Sequence, residues 1–147
     1  MNFVIINGPN LNMLGIREPD RYGRETYDDL LEKIWTHCRK HCVTPSFYQS
    51  NHEGDLVDRI QQAYYEKADA IVINPGAYTH TSIALLDAVK SVGILTAEVH
   101  ITDVTEREDF RQISYIRQAC CFTVMGKGTN GYLEAIDHLI EKIRENR

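Results

Sequence analysis

Two unbroken apolar runs, Phe3-Val4-Ile5-Ile6 and Ala70-Ile71-Val72-Ile73, constrain this chain more than any other feature. A strand that is apolar at every position offers no face to water, and such strands belong at the centre of a parallel sheet covered by helices on both sides. The intervening segments supply those helices. Leu30, Leu31, Ile34, Trp35 and Cys38 form one apolar stripe, preceded by Thr26 as N-cap with Asp28 and Asp29 in the first turn, which predicts about four helical turns. Equivalent stripes are Leu56, Val57, Ile60, Ala63 and Tyr64, then Ile83, Leu86 and Val89, and last Leu133, Ile136, Leu139, Ile140 and Ile143. Further strands are expected over Val43–Gln49, whose Pro45 suits a sheet edge, over Ile94–His100 and over Cys120–Met125.

Strands alternating with helices imply right-handed crossovers and an α/β fold. With five strands the favoured form is a flavodoxin-like three-layer sandwich on a five-stranded parallel sheet of order 2-1-3-4-5, where ligands bind beyond the carboxyl ends of the strands. The strands ending at Asn7, Asn74 and His100 therefore bring three polar segments to one edge. The stretch from Asn7 to Tyr22 is long for a plain connection, and its spaced Leu11, Met13, Leu14 and Ile16 argue against disorder, so it reads as a working loop. Ala77–Ser82 is polar and can cap the helix after it. His80 there is equally a cap or a ligand contact, and it stands seven residues before Asp87, two turns along one helix face.

At 147 residues the chain suits one domain, residues 1–147. A net charge of −5 disfavours a nucleic-acid partner, which needs dominant Lys and Arg clusters. No apolar run reaches the roughly 18 residues of a membrane span and no targeting segment precedes the first strand, so a soluble, cytoplasmic protein is expected. Cys38 and Cys42 lie one helical turn apart and Cys120 and Cys121 are adjacent, so all four read as small buried thiols rather than metal or disulfide pairs. The six histidines are read as lacking H-x-x-x-H and H-E-x-x-H spacings, and no metal site is expected. Gly126-Lys-Gly-Thr-Asn-Gly131 has the G-x-G-x-x-G form, but the dinucleotide fingerprint belongs to the first strand of its unit with an acidic residue about 20 positions on. Here it reads as a tight strand-to-helix turn.

Two pairs carry proton chemistry. Glu98 and His100 are two apart in a strand and share a face, and a carboxylate beside an imidazole orients it and favours its protonated, acid form. Arg17 and Tyr22 share the long loop, where a guanidinium beside a phenol favours the phenolate, a strong base.

Asn7-Gly-Pro-Asn-Leu-Asn, Arg17-Glu-Pro-x-x-Tyr22-Gly, Asn74-Pro-Gly-Ala-Tyr-Thr-His80-Thr-Ser, Ala84-x-x-Asp87-Ala, Glu98-Val-His100, Arg107-Glu-x-Phe-Arg111 and Gly126-x-Gly-x-x-Gly-Tyr132, in this order, resemble the type II 3-dehydroquinate dehydratases. The resemblance implies elimination of water from 3-dehydroquinate to give 3-dehydroshikimate without metal or cofactor, a step of the shikimate pathway and of quinate breakdown alike. It also implies a dodecamer built from trimers. Matched by position, Tyr22 is the base, Arg17 favours its ionised form and closes over the substrate, Asn10 holds a water at the enolate, and His100, supported by Glu98, protonates the departing hydroxyl. Asn74, His80, Arg111 and the backbone N–H groups of Ile101 and Thr102 bind substrate, Asp87 reaches a neighbouring subunit's site, and Arg107 joins the lid. Three departures from the family pattern stand out: Thr102-Asp103 where Ser-Asn is usual, Ile113 for a histidine, and Phe122 for a glycine. They bear on affinity rather than chemistry. Two other readings remain: a non-catalytic flavodoxin-like binding module for nucleotide or phosphate, which the lack of a glycine-rich cradle in the first loop disfavours, and the same lyase chemistry on a related cyclic hydroxy-keto acid, motivated by Asp103.

Overall fold

The computed structural model describes residues 1–146. In chain order, β1 (Asn2–Asn7) leads through the loop carrying α1 (Pro19–Tyr22) to α2 (Tyr27–Lys40), β2 (Thr44–Gln49) and α3 (Glu53–Tyr65). Then come β3 (Ala70–Asn74), α4 (Ile83–Val92), β4 (Leu95–His100), β5 (Phe122–Met125) and α5 (Asn130–Glu145). All strand pairs are parallel, and the order is β2-β1-β3-β4-β5. Pro45 lies on the edge strand, where its missing N–H costs no central ladder bond.

Alternation along β1 divides the interior. Phe3 and Ile5 face a layer formed by Leu30, Ile34 and Cys38 of α2 and by Tyr132, Ile136 and Leu139 of α5. Val4 and Ile6 face Leu56 and Ile60 of α3 and Leu85 and Val89 of α4. Each central strand is thus buried on both sides, as its apolar run requires. Thr26 caps α2 in a capping box: its hydroxyl accepts from Asp29 N–H at 3.1 Å and the Asp29 carboxylate accepts from Thr26 N–H at 2.9 Å.

Several expectations need correction. Trp35 and Tyr64 are exposed, because each follows a buried residue, Ile34 or Ala63, and so sits about 100° round the helix from it; Arg39 covers the Trp35 ring instead, at 4.6 Å. Ile83, the first residue of α4, is also exposed, and Leu85, Leu86, Ala88 and Val89 do the packing. The helix begins only at Ile83, with Ser82 as N-cap accepting from Leu85 N–H at 3.0 Å, so His80 in the preceding 3-10 turn (Gly76–His80) does not share a helix face with Asp87. Of the thiols, Cys38 is buried, which pushes it up to about 11, and Cys120 is half-buried, but Cys42 and Cys121 are exposed. β5 starts at Phe122 because a 3-10 turn, Ile116–Ala119, occupies the approach. His37 and His41 do have H-x-x-x-H spacing, His37 in the last turn of α2 and His41 as its C-cap. Gly126 and Gly128, at φ 74° and 60°, form the tight turn from β5 into α5.

The loops after β1 and β3 interlock at the carboxyl edge. Gly8 N–H donates to the Asn74 carbonyl at 2.8 Å, and a Cβ on Gly8 would stand 2.5 Å from the Pro75 carbonyl oxygen. Gly8→Ala is expected to push these backbones apart and to cost about 1–3 kcal/mol, read as a lower urea midpoint at unchanged slope.

Candidate active site

A pocket of about 260 Å³ opens where β1, β3 and β4 end. Asn10, Arg17, Tyr22, Asn74, His80, His100, Ile101, Thr102, Arg107 and Arg111 line it, over a floor that includes Leu11 and Leu14. Glu98 stands behind His100. Asp87 lies on the exposed side of α4 and is not among the lining residues of this subunit's pocket.

The long loop is more ordered than its composition suggests. Leu11–Met13 is a 3-10 turn, Leu11 and Leu14 are buried, and Pro19 opens the short α1 that ends in Tyr22. Asn10 adopts a left-handed conformation, φ 69°, and its N–H donates to Asn51 Oδ1 at 3.0 Å, which anchors the base of the loop. Arg17 lies over the Tyr22 ring at 4.7 Å, whereas it is Arg107 that reaches the hydroxyl, donating from Nη1 at 3.1 Å. Arg107, expected only in the lid, bonds the phenol oxygen directly, and its Nε is buried without a hydrogen-bond partner.

Glu98 is fully buried, and its oxygens collect donors from four segments. Oε1 takes His100 Nε2 at 2.7 Å, Ser114 Oγ at 2.7 Å and Thr79 Oγ1 at 2.9 Å, while Oε2 takes Arg117 Nε at 2.9 Å and Thr123 Oγ1 at 3.2 Å. Burial pushes this carboxyl up, but the His100, Arg117 and Ser114 contacts outweigh it and hold the group well below the usual carboxylate range. With Nε2 of His100 committed to Glu98, Nδ1 is the nitrogen left for proton transfer.

His80 Nδ1 lies 2.7 Å from the carbonyl oxygen of Ile113. A carbonyl only accepts, so Nδ1 carries the proton and Nε2 is left as an acceptor. Burial pushes the His80 imidazole down; the Ile113 bond opposes this, and the neighbouring charges of His100, Arg111 and Arg107 add to the lowering. His80 is therefore neutral near pH 7. Residue 113 acts through its backbone, and the Ile113 side chain points to solvent. Asp103 is likewise turned away: its Oδ1 accepts from Thr105 N–H at 2.9 Å and from Thr105 Oγ1 at 2.6 Å, capping a 3-10 turn. That removes the ground for reading a different substrate from Asp103. Phe122 stacks on His138 at 3.9 Å, away from the pocket.

Asn74 is less free than its motif suggests. Its Nδ2 donates to the Tyr132 hydroxyl at 3.0 Å and its Oδ1 accepts from Gly76 N–H at 3.1 Å, while Tyr132 donates to Asn7 Oδ1 at 2.7 Å. Tyr132, Arg117, Thr79, Ser114 and Thr123 are the positioning residues that the sequence reading did not single out.

The fold and the pocket define a flavodoxin-like enzyme whose site pairs a phenol with a carboxylate-held imidazole in basic surroundings. The sequence profile described as Dehydroquinase class II matches residues 1–140. The 3-dehydroquinate dehydratase of Caldicellulosiruptor bescii is 49% identical over 138 residues, covering 94% of this chain and 95% of that one. That of Lachnoclostridium phytofermentans is 48% identical over 140 residues, covering 95% and 97%. Among solved structures, the type II dehydroquinase from Butyrivibrio crossotus superposes with a TM-score of 0.93 at 51% identity, over 95% of this chain and 97% of that one. The enzyme from Propionibacterium acnes gives 0.91 at 34%, over 95% and 96%. The chain belongs to the class II dehydroquinase family.

Because the carboxyl of Glu98 is depressed in the folded state, its contribution to stability is complete above its unfolded value of 4.5 and is lost as pH falls below that towards the folded value. Glu98→Gln is expected to lose about 3 kcal/mol at pH 7, since Arg117 and His100 are left without their anion. The wild-type lead should then shrink as pH drops below 4.5, measured by urea unfolding at stepped pH; a constant difference would contradict a depressed carboxyl.

Proposed function

We propose that this protein is a hydro-lyase that eliminates water from 3-dehydroquinate to give 3-dehydroshikimate through an enolate, the whole chain acting as one catalytic domain in the cytoplasm. The activity is read from the family and from relatives named for it at nearly half identity across almost the full length. The mechanism rests on one observation above all: Tyr22 and His100 line the same pocket.

In the first step the Tyr22 phenolate takes the proton from the carbon beside the ketone, and the C–H electron pair moves onto the carbonyl oxygen as an enolate. The Arg17 guanidinium lies over the ring and Arg107 donates to the hydroxyl, so two cations stand beside the base. Asn10 at the fixed base of the loop holds the water that stabilises the enolate oxygen. In the second step the enolate electrons form the ring double bond as the C–O bond breaks, and His100 Nδ1 gives its proton to the departing hydroxyl, which leaves as water. Glu98 holds the imidazole in place and balances its charge.

Substrate hydroxyls and carboxylate are bound by His80 Nε2, Arg111, Asn74 and the backbone N–H groups of Ile101 and Thr102, which follow β4. Asn74 contributes only the N–H that Tyr132 leaves over. Three guanidiniums lining a small pocket suit an anionic substrate. Asp87, exposed on α4, serves the pocket of a neighbouring subunit in a trimer, and four trimers form the dodecamer.

Formation of the conjugated enone, followed by ultraviolet absorbance, tests the reading. Tyr22→Phe and His100→Ala are each expected to lower kcat by roughly 10²- to 10⁴-fold while folding normally, and Arg17→Ala is expected to lower turnover as well. Full activity in Tyr22→Phe would assign the base elsewhere, and no turnover by the wild type would return the chain to a binding role.

A further inference from the structure

Away from the pocket, α2 and α5 share a cluster that the proposed reaction does not use. His37 lies in the last turn of α2 and His41 is the residue that caps it, and the two imidazoles stand side by side. Asp137 of α5 faces them from across the helix pair, 100 residues further along the chain. His37 Nε2 lies 2.6 Å from Asp137 Oδ1 and His41 Nε2 lies 3.8 Å from the same oxygen. The two rings are 4.7 Å apart between centroids, and one donor atom from each of the three residues falls within 4.8 Å of the others.

A single ion pair does not account for this arrangement. The His37 contact is a hydrogen bond, but 3.8 Å is too long for one, so the second imidazole is turned towards an oxygen it does not bond. Around a tetrahedral ion with bonds of about 2.0–2.1 Å, donor atoms sit about 3.3 Å apart. The observed separations of 2.6 and 3.8 Å lie on either side of that value, so small torsions of these half-buried side chains suffice to equalise them. Side-chain exposures of 18%, 36% and 47% leave an ion open access from solvent.

We infer that His37, His41 and Asp137 form a binding site for a borderline divalent transition-metal ion, Zn²⁺ foremost, with two imidazole nitrogens and one carboxylate oxygen as ligands and water completing the shell. The donor set decides the class of ion. Mg²⁺ and Ca²⁺ take oxygen shells, whereas imidazole suits Zn²⁺, Ni²⁺ and Cu²⁺. The pocket lies at the carboxyl ends of the strands, while α2 runs back across the sheet so that its last turn, carrying the pair, reaches the opposite edge. The ion thus clips the first long helix to the last one, and because the unfolded chain holds no preformed cluster, binding stabilises the folded state.

The test uses the full-length, metal-stripped protein, with Co²⁺ as a visible-absorbing probe and Zn²⁺ as competitor. The expected result is one equivalent of Co²⁺ per chain with ligand-field bands, displacement by Zn²⁺, and a melting temperature raised by several degrees in Zn²⁺ but not in Mg²⁺. His41→Ala and, separately, Asp137→Ala should weaken Co²⁺ affinity roughly tenfold or more with an unchanged circular dichroism spectrum, and should remove the Zn²⁺-dependent rise. A Cys42→Ser/Cys121→Ser double variant should bind as the wild type does. Undiminished binding in both ligand variants, or loss of binding in the thiol variant, would overturn the proposal, as would the absence of any stoichiometric binding.

Discussion

The buried charge of Glu98 is the constraint around which the carboxyl edge is assembled. An ionised carboxylate removed from water costs several kcal/mol unless donors surround it, and here they come from the turn after β3, from β4 itself, from the segment before β5 and from β5. Thr79 and Ser114 each contact the carboxylate and also each other, at 2.9 Å. Two hydroxyl protons serve three oxygen contacts, so if both point at Glu98 the third contact carries none. The His100, Arg117 and Ser114 contacts hold Glu98 ionised, and an ionised Glu98 keeps His100 in one orientation. The placement of His100 and the stability of the fold are joined at the same atoms.

The second constraint acts between neighbouring strands. Asn7 and Asn74 are paired residues at the ends of β1 and β3. Both side chains reach the hydroxyl of Tyr132, whose burial pushes its phenol well above the ordinary range and keeps it a neutral donor and acceptor. Tyr132 comes from α5, so the C-terminal helix fixes the first and third strand ends that begin the pocket loops. Gly8 packed on Pro75 does the same through backbone contact. The long loop consequently has its base fixed at Asn10, ahead of the segment bearing Arg17 and Tyr22.

How far this could be read from the sequence follows the range of the interactions. The central strands, the Thr26 cap and the edge place of Pro45 depend on local pattern, and they were legible. So was the pairing of Glu98 with His100, since two residues apart in a strand means one face. The contacts that complete the site span the chain: Arg107 to Tyr22 is 85 positions apart and Asn74 to Tyr132 is 58. No periodicity encodes them. Trp35 and Tyr64 were misplaced because a stripe drawn from hydrophobicity alone is wider than the face that contacts the sheet, and large aromatics at its margin lie in solvent. The departures at 103 and 113 looked consequential as residue types, yet Asp103 spends its carboxylate on a local cap and position 113 contributes only a carbonyl.

The pocket also has a sign that the whole chain does not. A net charge of −5 would repel an acidic ligand at long range, but Arg17, Arg107 and Arg111 are gathered at one opening. Their local carboxylates do not cancel them: Glu18 sits 3.5 Å from Arg17, and Glu108 is bonded to Arg111 at 2.8 Å while lying 3.8 Å from Arg107. Those acids are at the exposed rim, where water screens them, whereas the guanidiniums reach inward to a region of lower dielectric. A cleft lined this way concentrates field at its mouth. The same cations stand around the one phenol in the pocket, Arg17 over its ring and Arg107 at its hydroxyl, so a single set of charges serves both the field at the opening and the surroundings of Tyr22. The basic residues accordingly cluster on the loop after β1 and on the segment after β4, the two places from which a guanidinium reaches both the pocket and Tyr22.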